Sequence, residues 1–152
     1  HRQYQVRVMN GVSYINDSKV TNAEAASKAL GAYKNIYWIA GGRPKGEGLE
    51  DLYSLMNNVR HVFLIGEASI AFAGWLDQYS VPYTMCGDLE NAVHEAHTQA
   101  QNARGRPGGA GAVLLSPACT SFDQFKSFED RGDVFTDLVT ALEDGQEIRG
   151  AA

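Results

Sequence analysis

Three short segments of this chain combine charged, hydroxyl and glycine residues in ways that could grip a small anionic ligand. The first is Asn16-Asp17-Ser18-Lys19-Val20-Thr21-Asn22, which sets a carboxylate, an ammonium and two hydroxyls close together. A capped loop with solvated charges uses the same residues, although binding groups concentrate on such connections. The second is Gly41-Gly42-Arg43-Pro44-Lys45-Gly46-Glu47-Gly48. Its glycines allow close backbone approach to a ligand, and its two cations could hold an anion. It is not a Walker A loop: Gly46 follows Lys45, and no Ser or Thr stands ready for magnesium. Nor does it match the dinucleotide fingerprint, so by itself it also reads as a plain strand-to-helix turn. The third is Ser116-Pro117-Ala118-Cys119-Thr120-Ser121-Phe122-Asp123-Gln124-Phe125. Hydroxyls and free backbone N–H groups at a helix start suit a carboxylate, whereas ordinary N-capping needs only one of these residues.

Other groupings carry less. His94 and His97 are spaced i, i+3 with no evident third ligand, so no metal site is expected and a solvated helix face is the reading. Cys119 has no assignable basic partner and reads as a buried thiol. Cys86 also adjoins an apolar run, which favours two reduced thiols over a disulfide. His61 reads as a capping or packing residue before a strand, and Trp38 and Trp75 as packing residues. Arg104-Gly105-Arg106 is too short for a nucleic-acid patch.

The elements that must position the three segments follow from periodicity. Tyr4–Met9 alternates loosely and meets Asn10-Gly11, a strong hairpin signal, before a return strand over Val12–Ile15. Thr21 or Asn22 can cap a helix to about Gly31. Ile36–Ala40 and His61–Ile65 are continuous apolar runs, as in strands buried on both faces. Leu49, Leu52, Leu55 and Met56 have helical spacing, as do Ile70, Ala71 and Ala73–Leu76. Val81–Cys86 predicts a strand, Asp88 caps a helix to about Ala103, and Ala112–Leu115 is a short buried strand. Phe122–Leu142 holds the last helical material, with Gly132 as a break. Strands alternating with helices imply an α/β, Rossmann-like three-layer domain. Its sheet should have about six strands, mostly parallel, with one antiparallel edge strand from the hairpin. Ligands in such sheets bind at the carboxyl ends of strands, where all three polar segments fall.

Composition bounds the rest. The 152 residues predict a single domain over 1–152, long enough for a core without disulfides or metals. A hydrophobic fraction of 44%, a charged fraction of 20% and a net charge of −5 suit an ordinary globular protein and argue against a nucleic-acid or anionic-membrane partner. No apolar run approaches a membrane span. The expectation is a monomeric cytoplasmic protein. His1-Arg2-Gln3-Tyr4 resembles neither a signal peptide nor an initiator start and reads as a cut at a domain boundary. Residues 145–152 read as a frayed tail.

The first segment resembles the NDSKATN signature of the D-glutamate-adding Mur ligases, with Val20 replacing the usual Ala. Gly41-Gly42 with Lys45 resembles the family's GG-x-x-K segment. The third segment, with Phe128-Glu129 and Arg131-Gly132, resembles its SPACASxDQF…FExRG block, and His1-Arg2 its opening dipeptide. Three motifs in order make the resemblance specific. It implies the C-terminal domain of an ATP-dependent ligase of peptidoglycan synthesis. In that family ATP, with Mg2+, phosphorylates the carboxylate of UDP-MurNAc-L-alanine, and the D-glutamate amine then attacks. Thr21, Lys45, Ser121, Phe122 and Phe128 would hold D-glutamate, and Arg2, Asp17 and Lys19 would face the nucleotide. The P-loop and magnesium ligands belong to other domains, so this fragment would carry no catalytic residue of its own, bind no cofactor alone and be inactive. The competing expectations are a related Mur-type or folylpolyglutamate-type domain, and a stand-alone Rossmann-like nucleotide-binding module.

Overall fold

A computed structural model of the chain describes residues 1–44, 48–105 and 111–143. Lys45 and the tail expected to fray lie outside the described residues. Asn10 and Gly11 have φ of 54° and 83°, the twist that a primed two-residue hairpin turn requires. They join β1 (Tyr4–Met9) to β2 (Val12–Asn16) in antiparallel register. The remaining strands are β3 (Ile36–Gly41), β4 (Val59–Ile65), β5 (Tyr83–Gly87) and β6 (Ala112–Leu115). All their pairings are parallel, in the order β1-β2-β6-β3-β4-β5.

All six residues of β3 are buried. Side chains alternate across a strand, so Ile36, Trp38 and Ala40 enter one core while Tyr37 and Ile39 enter the other. Helices α1 (Ala23–Ala32) and α2 (Ser69–Gln78), with a 3-10 helix over Glu50–Asn58, cover the first face through Ala26, Leu30, Leu52, Phe72 and Leu76. Helices α3 (Leu89–Asn102) and α4 (Phe128–Thr140) cover the second through Ala92, Val93, Ala96, Phe135 and Val139. The result is a three-layer α/β domain with an antiparallel edge hairpin. Trp38 is fully buried, and its indole N–H donates to Ser116 O at 2.7 Å. That bond avoids an unpaired buried donor and ties β3 to the loop after β6. Among the described residues no helix is long and apolar enough to cross a membrane.

Several expectations need correction. Leu49 and Leu52 are buried three residues apart on a 3-10 rather than an α turn, a spacing that matches three residues per turn. Gly132 does not break a helix. α4 begins at Phe128, capped by Ser127, and runs through Gly132, where an added Cβ would lie 2.3 Å from the His1 ring. His97 does not sit on a solvated face: it is 3% exposed and bonded to the Tyr14 hydroxyl, which also accepts from Gln101. His61 lies inside β4, paired with Thr84 Oγ1 at 2.7 Å.

Candidate functional site

The strands that carry the three polar segments are consecutive in the sheet, β2-β6-β3. Their carboxyl ends therefore open side by side, although residues 17, 42 and 116 are far apart in sequence. Backbone and side-chain bonds then fasten the loops to one another. Asp17 Oδ2 accepts from Ser116 Oγ at 3.0 Å. Gly41 N–H donates to Pro117 O at 2.9 Å, and Arg43 and Thr120 exchange two backbone bonds of 3.0 Å.

Gly41 and Gly42 serve chain-to-chain contact. Both have φ near +130°, and added Cβ atoms would meet Ile65 O at 2.0 Å and Thr120 O at 2.4 Å. Arg43 is not a free anion-binding cation. Its guanidinium forks onto Glu67 at 3.2 and 3.3 Å, while Asp123 Oδ2 accepts the Glu67 N–H. Ala118 adopts φ of 63°, a left-handed conformation that costs a non-glycine residue about 1–2 kcal/mol. The third loop is thus held under local strain.

In the first loop Asn16 is buried and structural. Its amide donates to Gly132 O and Thr136 Oγ1, and its Oδ1 accepts Ser18 N–H. Asp17 is 1% exposed, with Oδ1 on Gln3 N–H at 2.9 Å and Oδ2 on Ser116. Arg2, Gln3, Asp17, Lys19, Val20, Ala25 and Lys28 line one small cleft of about 80 Å3. The structure therefore brings Arg2, Asp17 and Lys19 together, with Lys28 as a further cation that helical spacing alone did not single out.

Burial pushes the Asp17 carboxyl above its ordinary 3.8, against the opposing pull of Gln3 N–H, the Ser116 hydroxyl and Arg2. A carboxyl raised in the folded state binds protons more readily there than in the unfolded chain. Stability therefore falls as pH rises from the unfolded value towards the folded one, and is level above both. Asn at position 17 keeps an acceptor for Gln3 N–H and has no charge to desolvate. Urea denaturation from pH 4 to 8 should show Asp17→Asn gaining on the parent as pH rises. A pH-independent difference would show that the folded carboxylate is not penalised.

Ser121 is 2% exposed, and its Oγ is a buried atom without a hydrogen-bond partner. An unpaired buried hydroxyl costs about 1–3 kcal/mol. Thr21 is half-buried, and Phe122 is 61% exposed. Phe128 is the first residue of α4, where helix N–H groups lack internal partners. Its carbonyl accepts from Ser18 Oγ at 2.7 Å, which sets it against the first loop. The two cysteines are free and buried. Burial drives Cys119 up to about 12 and Cys86 up to about 11, so neither is a thiolate nucleophile near neutrality.

Arg131 lies within the third motif, where the sequence pattern assigns it no role. It is 1% exposed and donates to Ser18 Oγ at 2.9 Å, Ser18 O at 2.7 Å and Cys119 O at 3.1 Å. Only an arginine inside an otherwise amphipathic helix hinted at this.

Fold and loop cluster define a three-layer Rossmann-like domain with a polar site at its carboxyl edge. No family model matches the chain. It is 51% identical over 143 residues to the UDP-N-acetylmuramoylalanine–D-glutamate ligase of Rhizobium meliloti (strain 1021), covering 94% of this chain and 30% of that protein. The ligases of the same name from Mesorhizobium japonicum and Rhizobium etli are each 46% identical over 152 residues, covering 99% and 100% of this chain and 32% of each relative. The chain spans about a third of the length of the curated relatives it matches, which is consistent with a C-terminal fragment of a ligase of that name.

Proposed function

We propose that this chain is the amino-acid-binding domain of an ATP-dependent cytoplasmic ligase that adds D-glutamate to UDP-MurNAc-L-alanine. The observation that carries this reading is the unpartnered Ser121 hydroxyl, buried where the three loops are bonded together. D-glutamate presents two carboxylates and an amine, and the amine must stay neutral and unhindered to attack. The domain therefore grips the carboxylates: Ser121 and Thr21 donate hydroxyls, Lys45 supplies charge, and N–H groups at Phe122 and Phe128 complete the set. Fixing the amine against an activated carboxylate is a proximity effect, worth ~7–11 kcal/mol of barrier in favourable systems.

The nucleotide reading rests on the Arg2, Lys19 and Lys28 cations around one cleft. At about 80 Å3 the cleft fits a phosphate or ribose edge, as in a domain that closes over ATP held elsewhere. Buried Asp17 holds Gln3, and with it the Arg2 rim, in place. ATP and Mg2+ supply the activation of the acceptor carboxylate from domains outside this chain. Alone, the chain should show background phosphate release with ATP and both substrates, and clear turnover would overturn that part.

The central test is kinetic, in the ligase that carries this domain. Ser121→Ala removes one neutral donor, so half-saturating D-glutamate should rise roughly two- to tenfold, with ATP dependence changed by less than about twofold. A folded variant with unchanged D-glutamate dependence would place the amino acid elsewhere.

A further inference from the structure

Arg131 is a buried cation that meets no carboxylate oxygen within salt-bridge distance among the described residues. Burial of a charge without a counter-ion is expensive unless every donor is used. Here Nε, Nη1 and Nη2 all donate, and all three acceptors lie on the first and third loops: Ser18 Oγ, Cys119 O and Ser18 O. Ser18 Oγ in turn donates to Phe128 O, at the start of the helix that carries Arg131. The guanidinium thus closes a ring of bonds through the first loop, the third loop and the first turn of α4. These are the segments that contribute Thr21, Ser121 and Phe128.

The nucleotide arm is anchored without it. Asp17 is held by Gln3 and Ser116, and Lys19 N–H by His1 O at 3.0 Å. Loss of the Arg131 fork should therefore loosen the spacing between Thr21 and Ser121 more than the setting of Arg2, Asp17 and Lys19. A lysine retains the charge but offers a single ammonium, which cannot reproduce a planar three-point bridge.

We infer that Arg131 is a positioning residue for amino-acid recognition: it fixes the first loop against the third, and so sets the width of the site for the D-glutamate carboxylates. This rests on the D-glutamate reading above.

The test uses the full ligase, with D-glutamate and ATP varied separately. Arg131→Lys should raise the D-glutamate KM by about tenfold or more, with the ATP KM moved by less than about threefold. Ser18→Ala keeps Arg131 but removes its Nε acceptor. It should raise the D-glutamate KM by a smaller factor, and the double variant should be no worse than Arg131→Lys alone. Equal loss for both substrates, or a fall in kcat alone, would overturn the inference and leave Arg131 as a general fold residue. If Arg131→Lys does not fold, Ser18→Ala decides: an unchanged D-glutamate KM overturns it. Ser121→Ala separates the two levels. If Ser121→Ala is silent, the D-glutamate reading fails; if it responds while Arg131→Lys and Ser18→Ala do not, only the positioning role fails.

Discussion

Gly41→Ala is expected to destabilise the domain by roughly 3–5 kcal/mol, a large part of the stability of a chain this size. Gly41 ends β3 with φ of +130°, outside the range of ordinary L residues, and stands opposite Ile65 in the parallel register. An added Cβ would lie 2.0 Å from Ile65 O and 2.9 Å from Ile65 C and N. These are backbone atoms of a neighbouring central strand, so no side-chain rotation relieves the overlap. Relief requires parting β3 from β4, which also pulls Gly42 N–H from Ile65 O. Gly74→Ala is the control. It lies within α2, where an added Cβ meets nothing within 4 Å, and the change should gain up to about 1 kcal/mol from helix propensity. Urea denaturation of both variants reads the contrast. Equal stabilities would mean that the β3–β4 register around Gly41 is not as described.

The contrast marks what local pattern can and cannot disclose. The hairpin was legible because Asn10-Gly11 carries its own turn chemistry. The buried strands were legible because a strand with helices on both faces has apolar residues at every position, as Ile36–Ala40 does. Asp88 was legible as a cap, and the first cap was narrowed to Thr21 or Asn22; Asp88 and Asn22 each accept a backbone N–H three residues on. The neighbours of each strand were not. Parallel pairing depends on crossovers and helix packing, so nothing within Ala112–Leu115 says that it lies between β2 and β3. Yet that order is what sets the three loops side by side. The glycine-rich segment was singled out for approach to a ligand, whereas Gly41 and Gly42 are needed for backbone-to-backbone contact. Arg43 carried the same charge as Lys45 on paper, but Glu67, which captures it, belongs to a loop 24 residues on. Gly132 looked like a helix break because its partner, His1, lies at the other end of the sequence.

The largest kinetic effect should come from Lys45, the one formal positive charge proposed to meet the amino acid. Arg43, two residues before it, is held by backbone bonds to Thr120, next to Ser121. With Arg43 turned to Glu67, the charge for a carboxylate falls to Lys45. A charge-assisted hydrogen bond contributes about 2–3 kcal/mol, so Lys45→Ala should weaken D-glutamate use by roughly 30- to 160-fold in the full ligase. Thr21→Ala removes a neutral donor and should cost about 1 kcal/mol or less. Lys45→Arg should recover part of the loss only, because a planar fork directs its donors differently from a compact ammonium on a flexible stem. Steady-state rates with D-glutamate varied at saturating ATP distinguish these outcomes. An unaltered D-glutamate dependence in Lys45→Ala would place the glycine-rich loop outside the site, leaving the carboxylates to the hydroxyl and backbone donors of the other two loops.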